Sequence, residues 1–235
     1  MGASGFQVAA EPYLWPFDGL VAPQRVAFIV IDMQTDFCGA GGYVDAMGYN
    51  IDNTRAAIAP IQRCLEAVRR VPGMRVIHTR EGHRPELVDL PANKVWRSKR
   101  VCPGIGEAGP CGRILVRGEP GWEIIPELAP LAGETVIDKP GKGSFYATDL
   151  EHILRTCGIT HLILTGITTD VCVHTTLREA NDRGFECLVL GDCCGATELH
   201  HHEAALTMTR MQGGIFGATS TSGALLEALA SLAEK

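Results

Sequence analysis

Hydrophobic and polar positions along the chain follow two alternating periods. Short, almost wholly apolar runs bounded by Gly, Pro or charged residues are typical of buried strands, whereas longer stretches with apolar residues three and four apart are typical of helices. The predicted strands are residues 25–32, 74–79, 134–138, 161–166, 186–190 and a short segment at 215–219. The predicted helices are about 53–70, 148–157, 170–183, 198–211 and the closing segment SGALLEALASLAE.

This alternation predicts the α/β fold class. Strands that are apolar throughout must be covered on both faces, so we predict a three-layer α/β/α sandwich with a central, mostly parallel six-stranded sheet. The 235 residues fit a single domain over 1–235, with an N-terminal extension at 1–20. Residues 81–133 are rich in Gly, Pro and charge, and we predict that they form a long active-site or interface loop with one short helix near 122–128.

Chemically active side chains follow three of the predicted strands. Asp32 ends the first strand, Lys139 follows residues 134–138, and Cys172 lies just after residues 161–166, at the first turn of the next helix. The carboxyl ends of parallel strands meet at one edge of a sheet, where ligands bind, so we expect these side chains to lie together. A helix N-terminus and the Lys139 cation are predicted to lower the pKa of Cys172, and Asp32 is predicted to carry its proton.

Each of these residues also has a plain structural interpretation. A cysteine at a helix start is commonly a buried core residue, a strand-terminal Asp commonly caps a turn, and a lone Lys is commonly solvated. The residues alone therefore leave open whether Cys172 is a nucleophile or a buried thiol. If it is a nucleophile, the backbone N–H groups of Thr168 and Cys172 are candidates for stabilising an oxyanion.

Composition narrows the range of partners. A net charge of -6 and a pI near 5.7 give no basic surface for nucleic acid, and no apolar run reaches the ~20 residues that span a bilayer. We expect a small-molecule substrate, no nucleic acid and no membrane. Nine scattered cysteines, without a signal-peptide pattern at the start, are untypical of a disulfide framework and predict a cytoplasmic protein.

Two glycine-rich segments superficially match nucleotide-binding motifs. The segment GIGEAG at 104–109 has no predicted strand before it and no helix after it, and PGKGS at 140–144 lacks the glycine spacing of a phosphate loop. Neither segment implies a nucleotide. The sequence therefore predicts no organic cofactor.

Three segments carry a family resemblance: IVIDMQTDF, VIDKPGKGSFYATDL and LTGITTDVCVHTTLREANDRGF. From about residue 20 to 225 the chain resembles the isochorismatase-like cysteine hydrolases. This resemblance implies a catalytic triad of Asp32, Lys139 and Cys172, a cis peptide bond between Ile167 and Thr168, and an oxyanion hole formed by the Thr168 and Cys172 amides. It also implies a homo-oligomer, a dimer or a tetramer.

The metal motif of some family members is replaced in this chain. Nicotinamidases of this superfamily carry Asp-x-His after the second strand, whereas this chain reads TREGHRPE. By this comparison His83 lacks the partners that a metal site needs. The resemblance therefore implies no metal.

Within the family the likeness is strongest to the biuret hydrolases. It is carried by CGAGGYVDAMGY, HTREGHRPELVDLPANK, GPCGRILVRGEPGW and RMQGGIFG. This resemblance implies that Lys142 and Gln212 hold the carbonyl oxygens and amides of the substrate, that Phe37 is an apolar wall, and that biuret is hydrolysed to allophanate and ammonia through a Cys172 thioester. Other N-carbamoyl or ureido amides, such as N-carbamoylsarcosine or ureidoacrylate, remain alternatives, as does a non-catalytic member that acts through protein contacts.

Overall fold

Six strands form the central sheet of the protein, which the computed structural model describes over residues 5–100 and 103–233. The strands of the chain are β1 Val26–Ile31, β2 Arg75–Glu81, β3 Ala108–Gly109, β4 Gly112–Arg113, β5 Thr135–Lys139, β6 His161–Ile167, β7 Glu186–Gly195 and β8 Ala218–Ser220. The sheet has the order β5-β2-β1-β6-β7-β8, and every neighbouring pair in it is parallel. β3 and β4 form a separate antiparallel ribbon.

Helices connect the strands of the sheet. They are α1 Thr35–Cys38, α2 Tyr43–Ala46, α3 Asp52–Arg55, α4 Ile58–Arg69, α5 Ala92–Ser98, α6 Leu150–Thr156, α7 His174–Asp182, α8 Leu199–Gly214 and α9 Ser222–Ala233. Among the described residues, no helix combines the length and the apolar character needed to cross a membrane.

Side chains of the sheet are buried on both faces. In β1, Phe28 and Val30 belong to the core that contains α4 and α9, whereas Ile29 and Ile31 belong to the core that contains α6 and α7. Each such side chain contributes about 1.5–3 kcal/mol by leaving water. The predicted three-layer α/β/α sandwich with a six-stranded sheet is therefore confirmed, and the sheet is parallel throughout rather than mostly parallel.

The N-terminal extension packs against one edge of the sheet. Val8 and Trp15 pair in a short hairpin, and Glu11 pairs antiparallel with Thr219 of β8. Trp15 is fully buried. The extension thereby covers an edge strand that would otherwise expose unpaired backbone groups. Residues 1–4 of the predicted extension lie outside the described residues, as do residues 101–102 of the predicted long loop, residue 234 of the predicted closing helix and residue 235.

The predicted long loop over 81–133 contains more regular structure than expected. Strand β2 continues to Glu81, two residues beyond its predicted end, and α5 is a helix that the sequence pattern did not predict. Glu81 therefore belongs to the sheet. This changes the composition of the site described below.

The helix predicted near 122–128 is wrong. The structure has two short 3-10 turns, Pro120–Trp122 and Pro126–Leu128, with extended backbone between them. Proline at 126 disfavours helical backbone at the preceding residue. The N–H of Ile125 instead donates to the Met33 carbonyl at 2.9 Å, which fixes the segment against the end of β1.

Candidate active site

Charged side chains meet at the carboxyl ends of β1, β2 and β5. Glu81 and Lys139 are register partners on adjacent strands, and the N–H of Asp32, just after β1, donates to the Thr79 carbonyl at 3.2 Å. Asp32, Glu81 and Lys139 are all fully buried. Because buried charges are costly unless they are paired and hydrogen-bonded, these groups are stable here only as a connected network.

Asp32 and Lys139 form the innermost ion pair of this network. Asp32 Oδ2 lies 2.7 Å from Lys139 Nζ, and Asp32 Oδ1 accepts a hydrogen bond from the Thr79 hydroxyl at 2.6 Å. Lys139 Nζ also donates to the carbonyls of Gly141 and Lys142 at 2.9 and 2.8 Å. Burial alone would lower the pKa of Lys139, but the neighbouring anionic groups, Asp32 first, raise it above its usual value. The lysine is therefore a fixed cation.

Cys172 lies at the junction between β6 and α7. The Ile167–Thr168 peptide bond is cis, as the family resemblance implied, and a π-helical turn over Thr169–Val173 precedes α7. The Thr168 carbonyl accepts hydrogen bonds from the N–H groups of Val171 and Val173, which begins the helix. Cys172 is buried, with 4% of its surface exposed. The thiol is thus held at the same edge of the sheet as the charged network.

Glu81 is a residue of the site that was not predicted from the sequence. Its Oε1 accepts hydrogen bonds from Lys94 Nζ at 2.8 Å and Lys142 Nζ at 2.9 Å, and its Oε2 accepts one from the Cys172 thiol, with Sγ at 3.5 Å. The signal for it lies in the extent of β2, because a predicted strand that continued past Thr79 would end at this carboxylate. Glu81, not Asp32, is the described hydrogen-bond acceptor of the thiol.

The lysines around Glu81 keep it ionised. Burial by itself raises the pKa of Glu81, but the cations of Lys142, Lys139 and Lys94 lower it to about 2. Burial lowers the pKa of Lys94 even in the presence of the Glu81 carboxylate. The Glu81 carboxylate therefore carries a full negative charge beside the sulfur at neutral pH.

The thiol itself is protonated in this arrangement. Burial raises the pKa of Cys172 well above its usual value, and the carboxylates of Asp32 and Glu81 oppose the lowering effect of Lys139 and Lys142. The lowered thiol pKa predicted from the sequence is therefore wrong, because the sequence pattern showed one cation but neither the burial nor the second carboxylate. Attack by Cys172 requires a base to take its proton as the reaction proceeds.

Three side chains at this edge of the sheet are of types that can ligate a metal ion. Asp32, Glu81 and Cys172 each place a potential ligand atom within 4.8 Å of the others. The same carboxylates contact the Lys139 and Lys142 ammonium groups, which would repel a metal cation. His83 is buried with Nδ1 3.4 Å from Asp89 Oδ1 and is not among these three residues. The cluster suits proton transfer at a thiol better than it suits a metal ion.

Of the three predicted substrate-binding residues, the structure places one at the cluster. Lys142 contacts Glu81 while 45% of its side chain stays exposed. Phe37 is half-buried and packs against the apolar core. Gln212 is exposed near the end of α8, at a left-handed position with φ of 53°, and has no described hydrogen bond to the cluster. The roles of Phe37 and Gln212 remain predictions.

A surface cavity of about 650 Å³ lies beside the cluster, because Lys94 and Lys142, which donate to Glu81, are part of its lining. The lining also includes Arg97, Pro140, Gly141 and Tyr146. This volume is within the range of small-molecule sites. The cavity is therefore the candidate entrance for a substrate.

The chain is similar to known proteins in both sequence and structure. The model of the isochorismatase domain matches residues 26–221, which include every strand of the central sheet and the whole cluster. The chain belongs to the isochorismatase family. Over 174 residues it is 36% identical to the ureidoacrylate amidohydrolase RutB of Serratia proteamaculans (strain 568), covering 73% of this chain and 70% of that protein.

Solved structures share the fold. A cysteine hydrolase from Pseudomonas syringae pv. phaseolicola 1448A is similar with a TM-score of 0.78 and 25% identity, covering 99% of this chain and 100% of that one. The N-carbamoylsarcosine amidase of Thermoplasma acidophilum is similar with a TM-score of 0.62 and 24% identity, covering 84% and 96%. The second likeness shows the fold alone.

Proposed function

We propose that the protein is a cysteine-dependent amidohydrolase that releases ammonia from a small carbamoyl or ureido amide, with biuret as its first substrate. One observation carries this proposal: the Cys172 sulfur lies within 4.8 Å of carboxylate oxygens of both Asp32 and Glu81, at the edge of the sheet where Lys139 is buried. A thiol, proton carriers and a fixed cation in one buried cluster are the requirements of covalent amide hydrolysis.

The first half-reaction forms a thioester. Cys172 Sγ attacks a terminal carbamoyl carbon while Asp32 accepts the thiol proton, and the negative charge that develops on the carbonyl oxygen is stabilised by the Thr168 and Cys172 N–H groups. The C–N bond then breaks, and Asp32 returns the proton to the leaving nitrogen, which departs as ammonia. Each aimed N–H donor in such a hole is worth about 3–4 kcal/mol.

The second half-reaction regenerates the thiol. Asp32 takes a proton from water, whose oxygen attacks the thioester carbon, and the proton returns to sulfur as the S–C bond breaks. The carboxylic acid product from biuret is allophanate. Lys139 compensates the charge of Asp32 in both half-reactions, and Asp32 carries the proton in each.

Biuret is favoured over other amides by the loop segments that resemble the biuret hydrolases and by the small, buried site. Lys142 supplies a donor for a substrate carbonyl at the mouth of the cluster. Ureidoacrylate is the second candidate, because the chain is 36% identical to the ureidoacrylate amidohydrolase RutB. Sites built around buried donors and acceptors discriminate strongly between analogues, so the substrates should differ widely in kcat/KM.

Ammonia release from a panel of biuret, ureidoacrylate and N-carbamoylsarcosine tests the assignment. The proposal predicts the highest kcat/KM for biuret. A higher value for either of the other compounds would reassign the substrate within the same class, and no release from any of the three would remove the amidohydrolase proposal in favour of a non-catalytic protein.

We further propose a cytoplasmic homo-oligomer, a dimer or a tetramer. Trp96 on α5 is 63% exposed, Tyr146 in the cavity lining is 62% exposed, and Val88, ahead of α5, is 79% exposed. Exposed apolar side chains of this size offer a surface for contact with a second copy of the chain. Size-exclusion chromatography with light scattering tests this proposal, and a monomer at micromolar concentration would contradict it.

A further inference from the structure

The Glu81 carboxylate is the most highly connected charged group of the site. Lys94 and Lys142 both donate to Oε1, Lys142 also reaches Oε2 at 3.1 Å, and Lys139 Nζ lies 3.9 Å from Oε2. The remaining contact of Oε2 is with the Cys172 thiol at 3.5 Å. One carboxylate therefore joins the nucleophile candidate to all three lysines of the cluster.

Asp32 is arranged differently with respect to the sulfur. Its Oδ1 accepts a hydrogen bond from the Thr79 hydroxyl, and its Oδ2 is paired with Lys139. Both of its oxygens are thus engaged by groups other than the thiol. The orientation of the S–H bond at rest is set by Glu81.

The charges of the cluster determine how Glu81 affects the protonation of Cys172. Lys94, Lys139 and Lys142 supply three positive charges, and Asp32 and Glu81 supply two negative charges, which leaves a net charge of one positive while Cys172 is a thiol. Loss of the thiol proton brings the net charge to zero. Removing the charge of Glu81 would raise the net charge around the thiol to two positive, which would favour the thiolate.

We propose that Glu81 is a fourth catalytic residue, which accepts the Cys172 S–H, orients the sulfur and holds it as a thiol until substrate is bound, while fixing Lys142 beside it. The role in turnover rests on the proposed amidohydrolase function. The effect on the thiol does not depend on which amide is the substrate. The two can therefore be tested separately.

The test is the pH dependence of Cys172 alkylation by iodoacetamide, followed by peptide mass spectrometry, in the wild type and in Glu81→Gln. A carboxylate within hydrogen-bonding distance shifts a neighbouring group by about one pH unit or more. The midpoint of alkylation should therefore move down by at least about one pH unit in the variant. Ammonia release from biuret should fall at least about tenfold, because Lys142 and the sulfur lose their shared partner.

Glu123→Gln is the matched control. Glu123 is also a carboxylate paired with a cation, Arg80 at 2.8 Å, but its side chain is 53% exposed. This substitution should leave the alkylation midpoint and the turnover unchanged. An unchanged midpoint in Glu81→Gln, or wild-type turnover in that variant, would overturn the proposal.

A second variant keeps the test decisive if Glu81→Gln does not fold. The double substitution Glu81→Gln with Lys94→Met removes one charge of each sign and keeps the net charge of the cluster. It should still turn over biuret at least about tenfold more slowly than Lys94→Met alone, because the contact with the sulfur is lost. Equal turnover in the two proteins would contradict the role of Glu81. If wild type releases no ammonia from any amide, the proposed function fails, while the alkylation midpoints still report on Glu81.

Discussion

Asp32 Oδ2 and Lys139 Nζ lie 2.7 Å apart, and neither side chain is exposed to solvent. Each would be destabilised alone in this position, because moving an unpaired charge out of water costs several kcal/mol. The pair is therefore a condition for the stability of this edge of the sheet as well as for the proposed chemistry. Asp32 directly follows β1 and Lys139 ends β5, and β2 lies between these two strands in the sheet.

Breaking this ion pair from either side should strongly destabilise the fold. Asp32→Asn and Lys139→Met should each lower the free energy of unfolding by about 3–5 kcal/mol, since each leaves a buried charge without its partner. The double variant should lose less than the sum of the two. Urea denaturation measures these values. Lys99→Met is the control, because it removes one partner of the exposed ion pair with Glu107. It should lower the free energy of unfolding by no more than about 1 kcal/mol. Equal losses of stability in all three single variants would contradict the prediction.

Acid should weaken the fold through Glu81. Its pKa is about 2 in the folded chain, below the usual value of about 4.3, so the unfolded chain binds this proton first as pH falls. The stability that Glu81 contributes is fully present above about pH 4.5 and is lost as pH falls toward 2. Urea denaturation between pH 6 and pH 2 should show the wild type losing more stability than Glu81→Gln. Parallel pH curves for the two proteins would show that Glu81 has no lowered pKa.

Gln212 provides a test of the substrate-binding set. It occupies a left-handed backbone position that Asn also tolerates, so Gln212→Asn shortens the side chain by one methylene with little cost to the backbone. If Gln212 contacts biuret, kcat/KM should fall at least about tenfold while the melting temperature stays unchanged. Gln62→Asn is the control, because Gln62 is a half-buried residue of α4 that donates to the Glu127 carbonyl and has no described contact with the cluster. Equal kcat/KM values in the two variants would remove Gln212 from the site.

The strand ends explain why much of the site was predictable from sequence. Asp32, Lys139 and Cys172 each follow an apolar run, and parallel pairing brings those positions to one edge whatever the details of the loops. The cis bond before Thr168 followed from family resemblance. The strand-end prediction depends on local pattern and chain topology, which the sequence records directly, whereas the cis bond was implied by the resemblance alone.

The two residues that extend β2, Arg80 and Glu81, could not be predicted because their placement depends on contacts between distant segments of the chain. Arg80 and Glu81 have the polarity of a loop, but Arg80 pairs with Asp138 at 2.9 Å and Glu81 with three lysines, so β2 continues through both residues. The spacing of apolar residues along the chain does not show that a charged residue is paired with an opposite charge on another segment. The direction of the Cys172 pKa shift was mispredicted for the same reason, because it depends on burial and on a second carboxylate brought in from β2.

The central claim is that Cys172 is the nucleophile, and Cys172→Ser tests it most directly. The substitution replaces one atom at a buried position, so the melting temperature should stay close to that of the wild type. Ammonia release from biuret should fall at least about a thousandfold, because the Ser hydroxyl is a far weaker nucleophile here. Ammonia release at the wild-type rate from folded Cys172→Ser would contradict the account.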